Sequence, residues 1–308
     1  MRILITGATG FIGRHLVAAL RAQHQIAVIS RQRDKAERLF GEQIPALRLD
    51  DLPNLDGYDA IINLAGEPIA DRRWSAQQKQ RIANSRWRLT EALLQKLAAS
   101  TRPPQIWLNA SAIGFYGASN AAALDENSPV AGADFAHQIC QYWEQLALQA
   151  ADRGCRVCLL RLGIVLGPDG GVLQRLLPLY RLGLGSRLGS GQQWISWIAI
   201  DDVLAAIAFL LQQPSCQGPY NLTAPGAVQQ QVFSQQLARA LERPHWLQTP
   251  AWLLRLLLGE RASLLLNGPA VQPQRLLAAG FTFAYPQLDR TLHHLLGGRP
   301  VSGRAELG

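Results

Sequence analysis

The residues with the clearest chemical meaning stand at the start of the chain, where Ile3-Leu4-Ile5 leads into T-G-A-T-G-F-I-G. Gly7, Gly10 and Gly13 recur at G-x-x-G-x-x-G spacing, between a strand ending at Thr6 and a helical pattern. Glycine permits the tight turn and lets backbone N–H groups approach a pyrophosphate, which then rests at the helix N-terminus. Glycine spacing alone would fit a merely structural turn; the order strand, turn, helix supplies the context a dinucleotide site needs. Thr9, Phe11 and Ile12 complete the loop and join the expected contacts.

The second strand-like run, Q-I-A-V-I-S, ends in Ser30-Arg31, followed by Gln32 and Arg33. An NAD site usually ends this strand in a carboxylate for the ribose 2′-OH. Here the first acid, Asp34, comes too late, whereas a hydroxyl and a guanidinium suit a 2′-phosphate, so NADP(H) is favoured over NAD(H). The alternative is a solvated loop carrying Arg31 and Arg33. Asp50, in L-R-L-D-D-L, is placed to accept the adenine amino group, or else is solvated. Leu64-Ala65-Gly66 follows the fourth strand-like run, where small residues let a cofactor pass close to the backbone. Arg86 shares a helical face with Ile82, Leu89 and Leu93, which turns it inward and demands an anionic or hydrogen-bonding partner. An internal salt bridge is the other way to meet that demand.

These residues need elements to position them. Short apolar runs at Ile3–Ile5, Ile26–Ile29, Ala60–Leu64, Ile106–Leu108 and Val157–Leu160 alternate with helical patterns at His15–Arg21, Ala76–Ala99 and Ala136–Ala151. That alternation predicts an α/β fold with a parallel sheet covered on both faces. Ser75 and Gln78 have capping-box spacing for the Ala76 helix. Beyond about residue 165 the pattern changes to helices at Leu173–Leu182, Val203–Leu211, Val232–Leu241, Leu253–Leu258 and Leu288–Leu296, with a glycine-rich stretch between the first two. The expected organisation is a cofactor domain over 1–165, with strand and helix returns in about 190–222. A mainly helical substrate-side region spans 166–297, including a helical domain at about 248–297, and a flexible tail covers 298–308.

The 308 residues and 48% hydrophobic content suffice for a large core and exclude a largely disordered chain. Thirty basic residues against 22 acidic give +8, and only Lys35, Lys79 and Lys96 are lysines. The excess is local. Residues 31–38 carry four basic and two acidic groups, and residues 71–88 carry six and one. Both segments would lie near a bound dinucleotide or the mouth of its cleft, so the charge favours a small anionic ligand over nucleic acid. Four cysteines make no disulfide framework. Cys155 and Cys158, on a strand-like run, would face opposite sides of a sheet, so no metal site is expected. The longest apolar cluster, Ala251–Leu258, is short and contains Arg255, and the N-terminus does not fit a signal peptide. The expectation is a cytoplasmic protein with no membrane partner, compatible with a homo-oligomer.

In order along the chain, T-G-A-T-G-F-I-G, D-A-I-I-N-L-A-G, S-A-I-G-F-Y-G, R-L-G-I-V-L-G-P-D-G-G and W-I-A-I-D-D-V-L-A-A-I resemble the extended short-chain dehydrogenases/reductases of the NAD(P)-dependent epimerase/dehydratase kind. More closely, A-G-E-P-I-A-D-R-R-W, L-G-L-G-S-R-L-G-S-G-Q-Q-W-I-S-W-I and L-L-L-G-E-R-A-S-L-L-L are similar to the YfcH-type epimerase family subgroup, over roughly residues 1–297. The resemblance implies a Rossmann-like doubly wound sheet that binds NAD(P), with a smaller, mainly helical C-terminal part shaping the substrate site. It also implies a Ser/Thr and Tyr-x-x-x-Lys proton relay, from which this chain departs. No lysine follows Lys96. Matching Glu144 to the acid after that motif puts Ala136 and Cys140 where Tyr and Lys belong, and matching Tyr116-Gly117 puts Ala112 at the Ser/Thr position.

Candidate substitutes are Ser111, one residue off; Tyr116, a phenol near the site; and Glu67, beside Ala65-Gly66. Against each stands a plain structural role, and Cys140 reads as a buried helical thiol. Most relatives carry an Asn at the position of Arg86, so the resemblance places Arg86 near the cofactor or a substrate anion. Trp194 and Trp197 either wall the nicotinamide side or pack in the core. Arg161, Arg175 and Arg187 are further candidates for an acidic substrate. The sequence favours an NADP-dependent oxidoreductase or epimerase-like enzyme for a small hydroxyl or carbonyl compound, with a degenerate catalytic motif. The alternative is a non-catalytic NADP(H)-binding redox sensor acting through a protein partner.

Overall fold

A computed structural model describes residues 1–119, 123–130 and 132–297 of the chain; the expected tail at 298–308 lies outside them. Seven parallel strands form the central sheet. Six are β1 (Arg2–Thr6), β2 (Gln25–Ile29), β3 (Ala46–Leu47), β4 (Ala60–Asn63), β5 (Ile106–Ala112) and β6 (Arg156–Leu162). With the edge strand Gly218–Leu222, they run edge strand, β6, β5, β4, β1, β2, β3. The strand sequences are nearly continuous apolar runs because both faces are covered: Ile3, Leu4 and Ile5 are all fully buried. Each such side chain contributes about 1.5–3 kcal/mol on burial.

Helices α1 (Phe11–Leu20), α2 (Arg33–Phe40), α3 (Ala76–Ala98), α4 (Phe135–Leu148), α5 (Gly171–Arg181), α6 (Ile200–Gln212), α7 (Gln230–Ala240) and α8 (Ala251–Leu258) follow in chain order. One face of the sheet buries Leu16 and Val17 of α1 with Val203 and Ile207 of α6. The other buries Leu93 and Leu97 of α3 with Ala147 of α4. The sheet is therefore doubly wound and Rossmann-like. Cys158 belongs to the first face and Cys155 to the second, as their odd spacing on an extended run requires. Ser75 caps α3 by accepting the Gln78 N–H at 3.2 Å.

Chain order reverses between β1 and β4, so the crevice outside their carboxyl ends is the topological switch point where such sheets bind ligands. Beside the sheet, α5, α7 and the helix Leu288–Leu295 enclose a third core around Leu173, Trp197, Phe233 and Leu292. The glycine-rich stretch before residue 191 is not simply a loop: Ser186–Leu188 pairs with Leu247–Thr249. The C-terminal helical region is fastened to α6 and the segment before it by polar contacts. Ser196 Oγ donates to the Pro269 carbonyl and accepts the Val271 N–H, both at 2.8 Å. The Asp202 carboxylate accepts the N–H groups of Ala284 and Tyr285 at 2.8 and 3.0 Å.

Candidate functional site

The glycine turn is built so closely that side chains are excluded. Gly7 has φ +70°, and a Cβ there would lie 2.7 Å from the Leu64 carbonyl carbon; a Cβ on Gly13 would lie 2.3 Å from the Gly7 oxygen. Gly10 donates its N–H to the Gly7 carbonyl at 3.0 Å and caps α1 with no side-chain hydrogen bond. The first turn of α1 carries no acid. Its N–H groups and positive end thus face the switch-point crevice, a setting suited to a phosphate. Ile12 lines the adjoining cavity. Phe11 does something else with its side chain: the ring nests against Gly167, Gly170 and Gly171, where any Cβ would collide with it. Arg14 reaches Asp169 of the same G-P-D-G-G loop at 2.9 Å, and His15 at 3.1 Å.

At the end of β2, Ser30 is half-buried and its hydroxyl closes a turn, accepting the Gln32 N–H at 3.1 Å. Arg31 is exposed and has no ion-pair partner among the described residues, whereas Arg33 pairs with Glu37 at 2.6 Å. Asp50 is exposed on a single 3-10 turn, Leu49–Asp51, after β3.

From the crevice a cavity of about 490 Å³ runs between α3, α4 and the C-terminal region. Leu64, Gly66, Arg86, Ser111, Ala136, Cys140 and Trp194 all line it. Ala136 and Cys140, one helical turn apart on α4, therefore present a methyl and a thiol to the cavity. Burial, with the Glu144 charge adding, pushes the Cys140 thiol up to about 11, so it is neutral near pH 7. Arg86 turns inward, as its stripe requires. Its Nη1 donates to the carbonyls of Glu67 and Ile82, each at 3.0 Å, and its guanidinium lies 5.3 Å from the Trp143 ring centroid. It forms no salt bridge among the described residues, so the ion-pair alternative is not the arrangement found. Burial lowers its pKa.

The other candidates part company here. Ser111 Oγ donates to Glu144 Oε1 at 2.6 Å. Glu67 does not line the cavity; its carboxylate accepts from Gln78 at 2.8 Å. Tyr116 is fully buried and off the cavity wall, its hydroxyl donating to Asn221 at 2.8 Å and accepting from Arg161 at 3.1 Å. Arg161 is itself buried in a two-pronged pair with Glu144, at 2.9 Å for each prong. Arg175 is exposed and paired with Asp71, and Arg187 is bonded to Gln248. Trp194 walls the cavity, while Trp197 packs in the core with its indole N–H on the Gly226 carbonyl at 2.8 Å.

Two rows of buried polar residues escaped the sequence reading. Thr6, Asn63 and Asn109 are register neighbours across β1, β4 and β5. Thr6 donates to Asn63 at 2.6 Å, and Asn63 donates to Asn109 at 2.7 Å and to Thr90 of α3 at 3.0 Å. Trp143 of α4 donates to the same Thr90 oxygen at 3.0 Å. Farther along, Ser111, Arg161 and Asn221 are likewise register neighbours on β5, β6 and the edge strand. The available signal was a polar residue ending each apolar run, as in A-I-I-N.

A family model described as NAD dependent epimerase/dehydratase family matches residues 3–223, and one described as Domain of unknown function (DUF1731) matches residues 249–295. An Arabidopsis thaliana protein named a chloroplastic homolog of epimerase family protein SDR39U1 is 41% identical, across 96% of this chain and 87% of its own length. A Mycobacterium bovis epimerase family protein is 39% identical, across 94% and 96%. The crystal structure of human epimerase family protein SDR39U1 (isoform 2) with NADPH superposes with a TM-score of 0.89 at 32% identity, covering 97% of this chain and all of that one. A UDP-glucuronic acid 4-epimerase from Bacillus cereus, at 17% identity and a TM-score of 0.75 over 96% and 98% of the two chains, shares the fold.

Proposed function

The chain belongs to the NAD dependent epimerase/dehydratase family, and from that premise we propose that it is an NADP(H)-dependent oxidoreductase or epimerase-like enzyme for a small hydroxyl or carbonyl compound. The carrying observation is the glycine turn at the switch point: Gly7 and Gly13 pack so closely on the Leu64 and Gly7–Ala8 backbone that a Cβ would collide, and their neighbours Ile12 and Leu64 line the apolar cavity. The NADPH bound to the human relative supports the same reading. The backbone of residues 7–13 would hold the pyrophosphate, and Leu64-Ala65-Gly66 would let the cofactor pass. Ser30 and Arg31 would take the 2′-phosphate, the exposed and unpaired Arg31 being available for it. Asp50 is assigned to the adenine amino group.

Bound there, the nicotinamide supplies two-electron hydride exchange. The protein's part is to bind, orient and exclude water. Ser111 gives its proton in a hydrogen bond to Glu144, so the lone pairs left on Oγ suit it to accept from a substrate hydroxyl. Glu144 is held in turn by Arg161, which fixes the serine rotamer. Ile69 and Trp194 give the cavity apolar walls. Tyr116 is assigned a structural role.

Titrating tryptophan fluorescence with NADPH and with NADH tests the cofactor assignment. The wild type should bind NADPH more tightly. Arg31→Ala should weaken NADPH by about tenfold or more, the range of a lost charged hydrogen bond, with no change for NADH. Equal affinity for both dinucleotides, unaltered in the variant, would overturn it.

A further inference from the structure

We propose that the cavity receives a small, singly charged hydroxycarboxylate or its oxo form, with an apolar body, and that Arg86 pairs with the carboxylate. The inference rests on the dinucleotide reading above and adds the substrate class.

The charges lining the cavity are one cation and one carboxylate, and they do not pair with each other. Among the described lining residues, the ionisable groups are Arg86, Asp134 and Cys140. Asp134 is committed: its carboxylate caps α4 by accepting the His137 N–H at 2.8 Å. Cys140, with its thiol at about 11, carries no charge near neutral pH. Arg86 is thus the one cation on the described lining, and Asp134 is held by the start of α4 and not by Arg86. Arg86 spends Nη1 on backbone carbonyls, while Nε and Nη2 lie over Gly66, within 3.0 and 2.9 Å of where a Cβ there would stand. A half-buried guanidinium that meets carbonyls and an indole face, with the Glu67 carboxylate near but not hydrogen-bonded to it, is suited to receive an anion, because its charge has lost water without gaining a directly paired carboxylate. Its planar fork matches a carboxylate through two parallel hydrogen bonds.

The remaining surface selects what the carboxylate is attached to. Ile69, Ile139, Ile195, Leu264, Trp143 and Trp194 supply an apolar lining with few polar interruptions. A single cation set in such a wall suits one negative charge and a hydrocarbon body. A nucleoside diphosphate would bring more charge and many hydroxyl groups into a place with little to receive them. Gly66 is suited to this arrangement, since a side chain there would collide with the guanidinium. Ser111, whose proton is directed at Glu144, is the acceptor that a substrate hydroxyl requires.

Calorimetric titration of the full chain, saturated with NADPH, can compare 2-hydroxy-4-methylpentanoate with its neutral amide and with UDP-glucose. The acid should bind at least about tenfold more tightly than the amide. The ratio should fall to near one in Arg86→Gln and survive in part in Arg86→Lys, each first saturated with NADPH and checked for native circular dichroism. A wild-type ratio near one, a ratio retained in Arg86→Gln, or tighter binding of UDP-glucose than of the acid would overturn the inference. Lower NADPH affinity in Arg86→Gln with the ratio intact would assign Arg86 to the dinucleotide instead, and overturn it equally. If the wild type fails to bind NADPH, the cofactor reading fails, and the same acid–amide comparison without NADPH decides this inference separately. The wild-type comparison needs no variant, so misfolding of both substitutions leaves it decisive.

Discussion

Cys140 shows how one residue can look chemical in sequence and be inert in place. It lines the cavity from the inner face of α4, where the family resemblance expects a lysine, yet burial holds its thiol neutral. Cys158, buried between β6 and α6, is also pushed up to about 11 by desolvation. The ordinary thiol value of 9.0 applies to the unfolded chain. Below pH 9 both states hold the protons, and the full stability is present. Between pH 9 and 11 the unfolded chain releases protons that the folded chain retains, so stability must fall as pH rises. A two-unit shift corresponds to a loss of about 3 kcal/mol per buried thiol, complete only once the pH has passed the folded value. Burial also raises Tyr116 and Tyr180, which steepens the fall above pH 10. Urea-unfolding free energies measured from pH 7.5 to 10.5 should therefore be flat and then decline, with a shallower decline in Cys140→Ala. An identical slope in that variant would show that the thiol releases its proton alike in both states, so that burial does not shift it.

At the scale of elements, the two polar rows tie strand ends to the helices that line the cavity. Asn63 is the hub of the first row: it satisfies Thr6, Asn109 and Thr90 at once, and all four are fully buried. Asn63→Ala would strip the Thr6 hydroxyl of its acceptor and take a donor from each of the other two. The expected cost is on the order of 3 kcal/mol in urea unfolding, from orphaned polar groups and the space left behind. A cost below about 1 kcal/mol would show that water replaces the amide. The glycine turn, the Ser75 cap and the inward stripe through Arg86 were legible because each is written within about three helical turns of local sequence. The rows were not, because register is non-local: Asn63 and Asn109 meet across 46 residues, and Tyr116 meets Asn221 across 105. Linear spacing put the Tyr116 phenol near the site. The 3-10 turn Ile113–Tyr116 instead directs it into the sheet's own network. Likewise β5 and β6 extend beyond the apolar runs that announce them, to Ala112 and Leu162, because the added residues pair with each other and bury their polar groups.

For the molecule as a whole, the cavity belongs to neither end of the chain alone. Leu64, Gly66 and the end of β5 from Ala110 to Ala112 form one side, and Ser263, Leu264 and Asn267 of the C-terminal region form another. That region is held at several points. Lys79 pairs with Glu260, Arg261 donates to the Ala70 carbonyl at 3.0 Å, and Ser196 bonds Pro269 and Val271. The Thr223 hydroxyl adds a bond to the Val271 carbonyl at 3.0 Å. Among these, Ser196 is the sharpest test, since it is buried and bonds the chain on both sides of Ala270. Ser196→Ala removes a donor to the Pro269 carbonyl and an acceptor for the Val271 N–H, while the β-strand Trp197–Ala199 beside it keeps its own pairing. Ion pairs at the exposed end of the region contribute little, so the buried hydroxyl should carry more of the local stability. Hydrogen exchange should then accelerate selectively in the Leu264–Val271 segment, by about thirtyfold for a loss of about 2 kcal/mol, with the amides of β1, β4 and β5 unchanged. Uniform acceleration across the sheet would mean that the segment opens only with global unfolding. Unchanged exchange at the segment would mean that Thr223 and the ion pairs suffice to hold it.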